Sequence, residues 1–157
     1  MALFKKITVL MLLLVVGLVI AEDTSIAAGT RFELATTAKL DAAYGTFSFW
    51  TLRQDGVGGV VGIIYTGYED DVHAVALYHE TLFDTYLGRD FGFRSTHKIG
   101  VGYLSGYNKL GFIGGSLFEI YWRRLGVYSA YNYASTLRRT VNGVYLGVSY
   151  QAPFVIF

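Results

Sequence analysis

Ser95 and His97 stand two residues apart, and Glu80 and Asp84 lie on the run before them. A hydroxyl, an imidazole and a carboxylate are the parts of an activated nucleophile: the base takes the hydroxyl proton and the acid orients the base. Residues two apart in an extended chain share a face, so Ser95 and His97 point the same way. Glu80 falls on the opposite parity once the runs are aligned, which makes Ser95, His97 and Glu80 only a partial catalytic set. His73 and His79 also share a parity, but at the rise of a strand they sit about 20 Å apart and do not close on one metal. There is no cysteine, so disulfide frameworks and thiolate metal sites are excluded. Gly58-Gly59 and Gly114-Gly115 precede no amphipathic helix and are not nucleotide loops. No metal and no cofactor is implied.

The elements that must position these residues have an unusual composition. Of 157 residues, 53% are hydrophobic and 17% aromatic, with 19 glycines and one proline. The 13 basic and 12 acidic residues form no basic stripe, which argues against a nucleic-acid partner. Lys5-Lys6, an apolar run over residues 7–20 and Ala21 have the layout of a cleaved secretory signal peptide. Val19 and Ala21 take the −3 and −1 positions, and cleavage after Ala27 is the second option. The expected organisation is therefore a leader at 1–21 and one domain at 22–157. Loss of Lys5 and Lys6 turns the formal charge of +1 slightly negative.

Past the leader, no apolar run reaches the roughly 20 residues of a helical span, whereas a tilted strand crosses with about 9–11. Runs of that kind recur at 31–40, 43–53, 57–68, 72–84, 91–106 and 110–122, followed by a long hairpin over 125–157. The last segment alternates: Val144, Leu146, Val148 and Tyr150 share one face. Asn142-Gly143 reads as its turn, because both residues tolerate the positive φ of a type I′ turn. Residues 43–53 alternate poorly, which predicts a bulge or a misplaced boundary there. Pro153 breaks the parity behind Phe157 and predicts another.

The count is eight strands, and a segment ending on Phe157 resembles the closing strand of a small bacterial outer-membrane β-barrel. The predicted fold is all-β: a transmembrane antiparallel up-and-down barrel. The rival, a soluble β-sandwich, has shorter strands. Aromatics gathered at run ends (Phe91, Phe93, Tyr131, Tyr133, Tyr121, Trp122, Phe154, Phe157) are expected to form the interfacial girdles. The polar parity assigns Glu33, Lys39, Glu80, Arg94, Lys98 and Glu119 to the lumen, with Glu80 and Arg94 placed to pair. An interior this narrow is filled by side chains, and charges there persist only when paired.

The resemblance implies outer-membrane lipid and lipopolysaccharide as surroundings, and the outer-membrane barrel assembly machinery as a partner. Arg138 and Arg139, near the last outer turn, are candidate lipid-headgroup contacts. Lipid A deacylase barrels carry a His-x-Ser-Asn arrangement on the lipid-facing wall. Here Ser95-Thr96-His97 runs in reverse order and lacks the Asn, so that pattern does not match. The outer turns are short and offer adhesion little surface. The reading that follows is a non-enzymatic integral outer-membrane protein with a side-chain-plugged lumen and an envelope-structural or surface-interaction role. The alternatives are an enzyme that modifies envelope lipid (lipid A), such as a deacylase or acyltransferase, and a porin-like small-solute channel.

Overall fold

Period-two alternation gives every strand two unlike faces, and a sheet with such faces in lipid is stable only if it closes on itself. In the structure, a computed structural model that describes residues 25–53, 55–68, 71–87 and 90–156, it does. The expected leader lies outside these residues. Eight strands follow in order: β1 (Ser25–Thr36), β2 (Ala43–Arg53), β3 (Val57–Gly67), β4 (His73–Tyr86), β5 (Phe91–Leu104), β6 (Lys109–Trp122), β7 (Leu125–Ser135) and β8 (Thr140–Ile156). Each pairs antiparallel with the next, and β8 closes on β1. The sheet is an up-and-down barrel, with one end carrying the start of β1 and the end of β8. That is the terminal end here, and the other is the distal end.

Three expectations about the local chain are corrected. The first strand stops at Thr36 rather than residue 40. There the Thr37 hydroxyl donates to the Asp41 carboxylate, and the Thr37 N–H donates to Ala42 O at 3.1 Å, folding residues 37–42 into a turn. The last turn is made by residues 136–139 and not by Asn142-Gly143, which lie inside β8 opposite Tyr133 and Asn132. Thr136 specifies that turn: its N–H donates to Arg139 O at 2.8 Å, and its hydroxyl oxygen accepts from the N–H groups of Arg138 and Arg139. The bulge expected in 43–53 is absent from the β2–β3 ladder. Tyr44, Thr46, Ser48, Trp50 and Leu52 face inward while Phe47 and Phe49 face outward, so the poor sequence alternation is an aromatic-rich lumen face. The irregularity beside it belongs to β1, between Ser25 and Ala27.

The bulge predicted at Pro153 is present. Ala28 pairs with Val155 and Gly29 with Pro153, so the register of β8 against β1 slips by one residue there. A proline, which has no N–H for the ladder, is accommodated at such a slip.

Exposed large apolar side chains line every strand, from Phe32 and Leu34 on β1 to Val144, Leu146, Val148 and Tyr150 on β8. The ionic groups Arg31, Glu80 and Glu119 are 0% exposed. A sandwich hides its apolar faces between two sheets; this molecule turns them outward around the whole circumference and keeps charge inside, the polarity of a membrane barrel. Exposed aromatics mark both ends: Tyr86, Phe91 and Trp122 at the terminal end, and Tyr65, Tyr103 and Tyr133 toward the distal end. Tyr121 is not in the girdle as expected; it is buried and faces the lumen. Phe157 lies outside the described residues.

Candidate functional site

The lumen is built from the inward parity of each strand, and three cations organise it. Arg31 on β1 reaches Glu33 at 2.8 Å and Glu119 on β6 at 3.1 Å. Arg94 on β5 bonds the same Glu119 oxygen at 3.2 Å and Asp84 at 2.6 Å. Glu119 therefore bridges two arginines across the interior, and its other oxygen accepts from Ser149 on β8. The register explains the clustering, since Asp84, Arg94 and Glu119 lie side by side on β4, β5 and β6. Tyr121 donates to the second Asp84 oxygen at 2.6 Å, and the Arg94 guanidinium lies 4.8 Å from the Tyr121 ring centroid. Lys98 sits between Glu80 at 3.7 Å and Glu33 at 4.0 Å, donates to the Tyr44 hydroxyl, and lies over the Tyr44 and Tyr78 rings. Tyr44 in turn donates to Glu33 at 2.6 Å.

Glycine makes room for this network at two places. A Cβ on Gly126 would stand 2.1 Å from Glu119 Oε1, and one on Gly92 would stand 2.2 Å from the Tyr121 hydroxyl. Toward the distal end the filling becomes aromatic. Tyr145 packs against Tyr44 and Tyr68 and donates to Gly67 O at 2.7 Å. Burial pushes the pKa of the Tyr68 hydroxyl, between β3 and β4, upward.

The structure brings together Glu33, Glu80, Arg94, Lys98 and Glu119 from the expected lumen set and corrects the rest. Lys39 is exposed in the 37–42 turn, because the strand ends before it. The pairing expected between Glu80 and Arg94 is not made: Glu80 stands opposite Lys98, and Arg94 stands opposite Asp84. Two members were missed. Arg31 shares its face with Glu33, and Asp84 shares its face with Glu80; parity alone pointed to both.

On the outer wall, Ser95 and His97 face away from Glu80 and Asp84, which are buried in the lumen. His97 does find a hydroxyl, but across the sheet: its Nδ1 is 2.9 Å from Ser116 Oγ on β6. His97 and Ser116 are register partners, a neighbourhood that no linear spacing announces. His73 lies at the distal end, 2.9 Å from the Tyr65 hydroxyl through Nδ1. Among the described residues no group of three or more His, Cys, Asp or Glu side chains is placed to hold a metal. Arg138 and Arg139 occupy the β7–β8 turn itself, at the distal rim.

Together, the closed sheet, the outward apolar wall and the buried ionic interior define an eight-stranded membrane β-barrel. No protein-family model and no curated protein sequence matches the chain. A solved structure from "De novo design of transmembrane beta-barrels" aligns with a TM-score of 0.48 at 11% identity, covering 82% of this chain and 97% of that one.

Proposed function

We propose that the protein is an integral outer-membrane β-barrel whose lumen is closed by its own side chains and whose role is envelope-structural or surface-directed. The observation that carries this reading is the Arg31–Glu119–Arg94 bridge, in which buried groups from β1, β5 and β6 meet across the interior. Transport of a solute requires these ion pairs to part. Breaking a buried pair strands an unpaired charge and costs about 3–5 kcal/mol, a poor gate for a passive channel. The leader-like sequence at 1–21 and the closed sheet support the outer membrane as the location. Single-channel recordings on the reconstituted protein test the reading. Silence is expected, and a steady, large conductance overturns it.

The His97–Ser116 contact favours a second reading, an enzyme acting on envelope lipid, in which Ser116 replaces Ser95 as the nucleophile. It supplies a base and a hydroxyl, but the carboxylates nearby in sequence lie behind the sheet. Mass spectrometry of lipid A with and without expression separates the two: an unchanged acyl pattern leaves the structural role standing, and lost or gained chains favour the enzyme.

A further inference from the structure

The charges at the two ends of the barrel are managed differently. At the terminal end, exposed Arg53 pairs with Asp55 at 3.0 Å across the β2–β3 turn, and Arg123 of the β6–β7 turn pairs with Asp90 of the β4–β5 turn at 3.5 Å. At the distal rim, Lys109, Arg138 and Arg139 line one cleft of about 310 Å³ together with Gly106, Tyr107 and Thr136. That lining contains no carboxylate. Asp71, in the β3–β4 connection, is placed by strand order on the far side of the ring from β7–β8.

Three like charges around one cleft repel one another unless an anion joins them. The backbone nevertheless holds two of them in place. Thr136 ties down the N–H groups of Arg138 and Arg139, and the Arg139 guanidinium lies 5.6 Å from the Tyr107 ring centroid. Guanidinium groups match tetrahedral oxyanions by paired hydrogen bonds, and an ammonium adds a point charge. The cleft sits just beyond exposed Tyr103, Phe112 and Tyr133, where an aromatic belt meets the headgroup layer.

From this arrangement we infer that Lys109, Arg138 and Arg139 form a phosphate clamp that holds a phosphomonoester group at the distal rim, as a lipid headgroup or as a free anion. The inference deepens the envelope-structural reading by naming the chemistry of the contact, and it rests on that reading only for the lipid as the source.

The test uses the full chain purified in a phosphate-free maltoside detergent, with native mass spectrometry as the readout. The probes are a bis-phosphorylated glucosamine lipid, its dephosphorylated counterpart and inorganic phosphate. The phosphorylated lipid is expected to bind and the dephosphorylated one to fail, with affinity falling roughly tenfold for each cation removed in Lys109→Ala, Arg138→Ala and Arg139→Ala. Arg124→Ala at the terminal end, with unchanged gel mobility before and after boiling, is the control and leaves binding intact. Inorganic phosphate bound as tightly as the lipid supports the clamp with a free anion as its source; phosphate bound only as lipid supports the headgroup. Equal binding of both lipids, or equal losses in Arg124→Ala and Arg138→Ala, overturns the clamp. Conductance plays no part in this readout, so a failure of the closed lumen and a failure of the clamp are distinguishable.

Discussion

Along β5, Arg94, Thr96 and Lys98 face a lumen that leaves them almost no exposure, while Ser95, His97 and Ile99 face outward between them. Neighbours one residue apart thus meet opposite solvents. Inside, a charge is held by partners from two or three strands; outside, Ile99 and Val101 need none, and His97 makes do with one hydroxyl from β6. Partners, rather than depth, decide what each face tolerates. A charged group is stable inside because Glu119 and Asp84 are fixed where Arg94 arrives. The same group on the outer wall would meet only hydrocarbon.

Substitutions that undo one face and spare the other sharpen this contrast. Glu119→Ala removes the acceptor shared by Arg31 and Arg94, and is expected to cost about 3–5 kcal/mol, read as a fall in the urea midpoint of the protein in vesicles. Asp55→Ala, which breaks the exposed pair with Arg53, is expected to cost about 0–1 kcal/mol; equal losses would break the comparison. Leu146→Arg on the outer wall of β8 is expected to cost about 2–4 kcal/mol by placing a cation in the hydrocarbon layer. In the same assay Leu137→Arg, in the exposed turn, stays within about 0.5 kcal/mol of the parent. Gly126→Ala drives a methyl group into Glu119 and Ser149 and is expected to cost about 1–3 kcal/mol, with the phenotype of a weakened Glu119 rather than of a disturbed wall. Ser116→Ala leaves His97 without its hydroxyl at a cost of about 0.6 kcal/mol. A loss as large as that of Glu119→Ala would mean that the wall, like the lumen, depends on polar contacts.

Much of the architecture was legible because large apolar residues at every second position can serve only one face. The faces of β5, β6 and β8 follow from Ile99 and Val101, Phe118 and Ile120, and Val144 to Tyr150 for that reason. Where a side chain rather than a pattern sets the geometry, the sequence misled. Asn142-Gly143 carries the stronger turn propensity, yet the Thr136 hydroxyl binds the backbone of 136–139 and moves the hairpin there. Gly143 instead lies against the Tyr145 ring, where a Cβ would come within 2.5 Å of its hydroxyl. Lys39 continued the alternation of β1 on paper, but the Thr37–Asp41 contact had already turned the chain. The lumen set was readable by parity within a strand. Partnerships between strands were not, because register decides them: Glu80 meets Lys98 rather than Arg94, and His97 meets Ser116 rather than Ser95.

Each strand presents one face to lipid and buries the other, and on β7 that alternation is unbroken from Leu125 to Ala134. The chain has no cysteine, so single cysteines at 127 through 132 can each carry a fluorophore in vesicles with brominated acyl chains. Quenching is predicted at Val127, Ser129 and Tyr131, with the intervening positions Tyr128, Ala130 and Asn132 unquenched or unlabelled. Quenching that is uniform along the strand, or absent throughout, would contradict the account.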